Sequence, residues 1–373
     1  MNVPAWDIAA VQTYDFLSAE YRALFAHSTA TVFQSPLWLD RLYRDVAVQL
    51  GAQPLILLIR EHGTGRLVAI MPLVVRRKFS LRVAEFADFG VSDYCSPICD
   101  LDFVPALLND DCVQHQLREQ MKSCDLIMIQ KVRADTLPLF KLIGKARTSA
   151  LPFTAHATDL SAPYSAWRET NISQSQRRFL DTKRKWLTKR GSLATSAVDS
   201  KQQLDEIIAN IQKFRDYRFR QTGTFDLLKS NLFSQFYRDV AEETPPARGY
   251  VMTINGTIIS AAFGLAYNNT FHFILSGFDF LNYRNASVGL LIIEDIIQDC
   301  IKRGETSLDL TIGNQPYKRE FGTRETAIWA VWLGISATGR LAVHLLSRSR
   351  RLQQIVRRLL RHSAHLNSVG SRP

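Results

Sequence analysis

The stretch Phe271–Arg319 constrains the fold more than any other part of the chain. It reads FHFILSGFDFLNYRNASVGLLIIEDIIQDCIKRGETSLDLTIGNQPYKR: a strand pattern, a turn, a helical pattern, a second strand and a Tyr-Lys pair. Inside it, Arg284–Gly289 (RNASVG) is a loosened R-x-x-G-x-G pattern in which Ser287 stands at the first glycine. A strand that feeds a turn and a helix N-terminus aims free backbone N–H groups at one spot, and the helix dipole adds positive potential there. Arg284, Asn285, Ser287, Val288 and Gly289 are therefore candidates to hold an anion such as a pyrophosphate. An ordinary capped helix with a tolerated glycine would carry the same letters.

The punctuation of the predicted helix Ser287–Arg303 is regular. Ser287 is placed to cap it, Lys302 and Arg303 fall in its last turn, and Gly304 can end it. Gly289 in the first turn costs about 1 kcal/mol relative to alanine. That cost makes sense where a ligand approaches the backbone closely. In the strand Thr306–Ile312, Leu308, Leu310 and Ile312 point one way, and Ser307, Asp309 and Thr311 the other. A mid-strand carboxylate is costly to bury unless paired. Asp309 is thus either a general base toward an amine or hydroxyl, or structural glue with backbone or Arg partners. After the turn Gly313–Pro316, Tyr317 suits proton donation to a leaving thiolate and Lys318 suits stabilisation of an oxyanion.

Composition bounds the class. Of the 373 residues, 46% are hydrophobic and 22% charged, as in a soluble globular protein of about two domains. No apolar run approaches the roughly 20 residues that span a bilayer, and the N-terminus shows no signal-peptide pattern. The five cysteines are sparse and complete no metal pattern, so free buried thiols in a reducing cytoplasm are expected and no metal site. The net charge of +11 is uneven: Ser336–Pro373 holds eight Arg and no Asp or Glu, leaving +3 for residues 1–335. In that tail Leu341, Leu345, Leu352, Ile355 and Leu359 recur at helical spacing among the arginines, which predicts a basic amphipathic helix.

Element order repeats. Residues 1–162 read as helices, two strands near Pro54–Arg60 and Leu67–Arg77, a third near Arg82–Asp88, a helix Val104–Lys122 and a strand Asp125–Lys131. Residues 163–335 read as the basic helix Ser173–Arg190, a helix Lys201–Gln221, hairpin strands turned at Asn255-Gly256, a third strand, then the helix and strand described above. Two similar α+β domains, 1–162 and 163–335, followed by the tail 336–373, are the predicted organisation.

Taken together, these residues resemble the GNAT-like acyltransferases of the CelD group, from cellulose and exopolysaccharide biosynthesis, which are related to the FemAB peptidyltransferases. That family typically shows Ser-Pro-Gly at the start of the phosphate-binding helix, an Asp-containing strand, a Gly and a Tyr-Lys pair. Here these are Ser287-Val288-Gly289, Asp309, Gly313 and Tyr317-Lys318. Phe33–Trp38 (FQSPLW), Asp93-Tyr94 and the basic helix Gln176–Arg190 match the family's style, so the resemblance spans roughly residues 30–335. The departure is Val288 at the usual proline, which removes a pre-set φ but no N–H group from Ser287 or Gly289.

The resemblance implies two tandem GNAT-like domains with mostly antiparallel mixed sheets flanked by helices, and acetyl-CoA or another acyl-CoA as co-substrate. It implies Asp309, Tyr317 and Lys318 as catalytic residues. It also implies Asp93, Tyr94, Arg177 and Arg178, with Lys183 and Arg184 on the same helix, as acceptor-side contacts. The acceptor would be a sugar or polysaccharide precursor. The expected location is the cytoplasm, with the tail reaching an anionic inner-membrane surface. Two other readings stay open: a FemAB-type aminoacyltransferase fed by aminoacyl-tRNA, the one case that would engage nucleic acid, and a non-catalytic membrane-associated scaffold.

Overall fold

The computed structural model describes residues 5–78, 80–222, 226–243 and 247–348. Its strands are β1 (Trp6–Val11), β2 (Gln53–Glu61), β3 (Leu67–Lys78), β4 (Leu81–Phe86), β5 (Ile98–Cys99), β6 (Leu126–Arg133) and β7 (Arg147–Asp159). They continue with β8 (Leu193–Val198), β9 (Ala247–Ile254), β10 (Thr257–Tyr267), β11 (Thr270–Phe278), β12 (Ser307–Ile312) and β13 (Arg324–Gly334). The chain divides into two compact units, one of Met1–Pro152 with Ala327–Pro373, the other of Phe153–Thr326.

In the first unit the strand order is β1-β2-β3-β4-β6-β13, with β5 on β3. In the second it is β7-β12-β11-β10-β9-β8. Both are mixed sheets with helices, and both contain one parallel pair between otherwise antiparallel neighbours, β4 with β6 and β11 with β12. The α+β class and the repeated arrangement are as expected. The boundaries differ from 1–162 and 163–335. β7 pairs with β12, so residues 153–162 belong with the second unit. β13 pairs with β6, so residues 327–335 belong with the first. Each unit thus takes its last strand from the other half of the sequence, because backbone pairing rather than chain proximity completes a sheet.

Each unit has its own core. In the first, Leu57, Val68, Leu73, Ile127, Ile129 and Val331 of the sheet pack with Val113 and Leu117 of the helix Asp111–Gln120. In the second, Tyr250, Met252, Phe271 and Leu308 pack with Leu291, Ile292 and Ile296 of the helix Val288–Lys302. The hairpin signals are realised: Asn255 and Gly256 have φ of 49° and 79°, Asn268 and Asn269 47° and 55°. These left-handed pairs match the twist of the flanking strands. The predicted helix Val104–Lys122 is two helices, Val104–Leu108 and Asp111–Gln120, because Asp110 caps the second by accepting from the Cys112 N–H at 2.8 Å. The tail helix runs Ala337–Arg348; its predicted continuation lies outside the described residues. Among those residues no helix is long and apolar enough to cross a membrane.

Candidate active site

The candidate site lies in the second unit, where β11 and β12 part. They pair from Thr270↔Ser307 to His272↔Asp309. Beyond that β11 continues to Phe278, while β12 bulges: Asp309 faces Ala157, but Ile312 faces Ala155. The extra residue places Thr311 at φ 59°. A bulge re-aims side chains and ends pairing, which opens the sheet.

From β11 the chain enters the short helix Phe280–Tyr283, capped by Asp279, and then the turn 284–287. Ser287 occupies the N-cap position of Val288–Lys302, but at φ 54° and ψ 31° and with no side-chain cap bond. The expected serine cap is therefore corrected: a capping side chain needs an extended N-cap, and this residue is left-handed. It takes the conformation for which the pattern's usual glycine is suited. The Ser287 carbonyl accepts from the N–H of Leu290 at 2.9 Å and Leu291 at 3.2 Å. The N–H groups of Val288 and Gly289 precede the first N–H that bonds within the helix, that of Leu290. A Cβ on Gly289 would meet only the Phe278 ring, at 3.6 and 3.7 Å, so packing does not demand glycine there. Arg284 and Asn285 are exposed.

Two cations that the pattern did not single out as anion ligands lie on this turn and on the Phe278 ring next to it. Lys183 Nζ donates to the Asn285 carbonyl at 2.6 Å. The Arg218 guanidinium lies 5.8 Å from the centroid of the Phe278 ring that Gly289 faces. Arg218 also acts on Tyr317: burial pushes the Tyr317 phenol up, and the nearby guanidinium pulls it part of the way back. Tyr317 thus stays a proton donor at neutral pH. Its companion differs from expectation. Lys318 is only 2% exposed, and its Nζ donates to the carbonyls of Thr311 at 3.1 Å and Ile312 at 2.8 Å. The ammonium holds the β12 bulge in place, so an oxyanion contact is replaced by a positioning role. Asp309 is also buried, and its carboxylate accepts the Thr311 N–H at 2.7 Å across the same bulge.

A histidine escaped the sequence reading. His156 on β7 is buried between two hydroxyls, with Nε2 3.0 Å from Thr154 Oγ1 and Nδ1 3.1 Å from Thr323 Oγ1. Thr323 gives its own proton to the Lys318 carbonyl, at 3.0 Å. Toward Thr323 the ring is therefore placed to donate from Nδ1, while the Thr154 hydroxyl is shared between Nε2 and Glu325, 3.3 Å away. Burial lowers the pKa of this imidazole, and the charge of Lys318 lowers it further. No periodic pattern marks a lone histidine on a strand.

The basic helix is Gln174–Thr188. Its Arg184 pairs with Glu294 at 3.0 Å and Asp295 at 2.6 Å, and Arg168 joins the buried Glu294 at 2.7 Å. Arg184 is thereby corrected from acceptor contact to structural partner; it compensates the two carboxylates of the otherwise apolar stretch Leu290–Ile297. Arg177 is half-buried and Arg178 exposed, and neither makes an ion pair among the described residues. Exposed Lys185 and Lys189 share that property, and Phe179 and Trp186 lie exposed beside them.

In the first unit Tyr94 is buried, edge-on to Phe33 at 5.5 Å and with Arg133 over its ring at 5.1 Å. Its expected surface role is corrected to packing, and Asp93 beside it is half-buried. The FQSPLW segment holds this loop: Gln34 Nε2 donates to the Tyr94 carbonyl at 2.8 Å, and Trp38 Nε1 to Ser92 Oγ at 2.9 Å. The parting of β4 and β6 is filled by Lys131, whose Nζ meets Asp88 at 2.8 Å and the Ser92 carbonyl at 2.7 Å. Burial pulls the Lys131 ammonium down, but Asp88 and Asp93 outweigh it and raise it overall. Lys131 has φ 59°, the same value as Thr311 in β12. Among the described residues, His27, Asp100 and Asp102 come together as a metal-sized group, but Arg66 takes the Asp100 carboxylate at 2.5 Å.

Residues 174–319 match the acetyltransferase (GNAT) domain family. The matched stretch contains the turn, the strand parting, Asp309, Tyr317 and Lys318. Among solved structures the chain is similar to FemX, over 87% of this chain and 96% of that one, at 9% identity and a TM-score of 0.58. It is also similar to L-PGS from Bacillus licheniformis, over 88% and 96%, at 11% identity and a TM-score of 0.52. A third similar structure is the C-terminal domain of a putative lysylphosphatidylglycerol synthetase from Agrobacterium fabrum, over 82% and 90%, at 15% identity and a TM-score of 0.50. At such identities the likeness concerns the fold. No curated protein matches the chain. Residues 174–319 thus carry a GNAT-like domain, and the strand arrangement around it occurs twice in the chain.

Proposed function

We propose that this protein is an acyl-CoA-dependent N- or O-acyltransferase, most simply an acetyltransferase, acting on a sugar or polysaccharide precursor as in the CelD-like group. The carrying observation is the turn before Val288–Lys302. It offers two N–H groups without a hydrogen-bond partner among the described residues, a left-handed Ser287 and a Gly289 that packing does not require, with Lys183 bonded to Asn285 and Arg218 over the Phe278 ring. Two backbone donors, a helix dipole and two cations suit a pyrophosphate. The acyl thioester would lie where β11 and β12 part. Asp309 would take the proton from the attacking amine or hydroxyl, and Tyr317 would protonate the leaving thiolate. Lys318 would hold the bulge that aims Asp309. Arg177, Arg178, Lys185 and Lys189 favour an acceptor carrying negative charge. Release of free CoA thiol from acetyl-CoA, followed across neutral, amino and acidic saccharides, tests the reading. Stimulation by an acidic or amino sugar supports it; a flat response across acceptors and acyl chain lengths overturns it.

A second reading draws on the similarity to FemX and on the unpaired cations beside exposed aromatics on the basic helix. In it the donor is an aminoacyl-tRNA, the nucleic acid lying along that helix. Filter binding of tRNA across a salt series separates the two, since phosphate contacts give a steep salt slope.

A further inference from the structure

The tail helix Ala337–Arg348 leaves two large apolar side chains uncovered. Leu341 is 59% and Leu345 51% exposed, and they are one turn apart on one face. Val343, between them in sequence, is buried, so a different side of the helix does the packing. Asp125 fixes that side. Its carboxylate accepts from Ser336 Oγ at 2.7 Å and Thr338 Oγ1 at 3.3 Å, and its carbonyl accepts the Ile335 N–H at 2.8 Å. A Cβ on Gly339 would fall 1.7 Å from that carbonyl oxygen. The helix therefore cannot turn to hide its leucines without leaving this seat.

The charges of the tail sequence have one sign. From Ser336 onward the sequence carries eight Arg and no acidic residue. A second copy would set these charges against their like, which opposes self-association through this face. An anionic bilayer offers both what the leucines and what the arginines need. We propose that the tail helix docks the protein on an anionic lipid surface, with Leu341 and Leu345 entering the acyl boundary and exposed Arg340 beside them pairing with a lipid phosphate.

Sedimentation of the full chain with vesicles tests this independently of any acyl transfer. Vesicles of equimolar phosphatidylglycerol and phosphatidylcholine should carry down the protein, vesicles of phosphatidylcholine should carry down little, and added salt should release it. The double variant Leu341→Gln, Leu345→Gln should partition roughly tenfold less or weaker still, from lost apolar burial, with unchanged circular dichroism and Tm. Equal partition into both vesicle types, or a double variant that sediments like the parent, overturns the proposal. So does a lipid-free dimer that the double variant abolishes, which would assign the face to a second copy.

Discussion

The Lys183 ammonium donates to the Asn285 carbonyl at 2.6 Å, joining the basic helix to the loop that opens the candidate anion site. This contact both orients the turn and brings positive charge to it. Lys183→Met should weaken acetyl-CoA binding by roughly tenfold, the scale of one charge-assisted hydrogen bond. Because Lys183 is only half-buried, Tm should move little. Calorimetric titration alongside thermal denaturation checks both parts.

Gly289→Asp separates folding from anion binding. A side chain there meets only Phe278 at ordinary contact distance, and an acidic residue in a first helical turn is favourable by about 0.3–1 kcal/mol. The variant should keep or raise its Tm. Its carboxylate would repel a pyrophosphate at the Val288 and Gly289 amides, lowering CoA affinity at least about tenfold. Unchanged affinity in a folded variant would move the donor elsewhere.

Ser287→Gly tests the left-handed turn. At φ 54° a serine bears strain that glycine does not, of the order of 1 kcal/mol. Its side chain makes no cap bond that glycine would lose. Glycine's larger unfolded-state entropy offsets part of the gain. The variant should match or slightly exceed the parent in urea denaturation and retain CoA affinity.

Asp309→Asn distinguishes chemistry from support. Asparagine can still accept the Thr311 N–H through its carbonyl oxygen, so the bulge should persist. As a general base Asp309 should be worth roughly 10²–10⁴ in turnover, with donor affinity unchanged. A variant that loses stability and keeps its turnover would leave the carboxylate a structural role.

His156 predicts a stability loss on the acid side. Its folded pKa lies below the ordinary value of about 6.5. The unfolded chain therefore binds its proton first as pH falls. Stability should be full above about pH 6.5 and drop as pH falls from there through the folded pKa. The urea midpoint should fall between neutral and mildly acidic buffer, and by less in His156→Gln.

Periodic and turn signals were the legible part. Asn255-Gly256 and Asn268-Asn269 specify their turns by local backbone preference alone. The helix Val288–Lys302 followed from its apolar run and its ends. Both first sheet strands were illegible. WDIAAV and LATSAV are edge strands with little buried alternation, formed by pairing with β2 and β9. The exchange of β7 and β13 was equally hidden, since strand partners are a tertiary choice. At the site, Asp309 and Tyr317 were visible as residue types in context. Burial of Lys318 on two carbonyls was not, because an isolated lysine reads as exposed. His156 and Arg218 approach the site only through sheet pairing and helix packing.

Donor binding by the turn at Ser287–Gly289 is the central claim. Isothermal titration of the full chain with acetyl-CoA and longer acyl-CoAs, run in parallel on Gly289→Asp, tests it most directly. Saturable heat for at least one acyl-CoA, with at least about tenfold weaker binding in the variant, is the predicted result. Absence of heat from every acyl-CoA in folded protein, or equal affinity in both proteins, would contradict it.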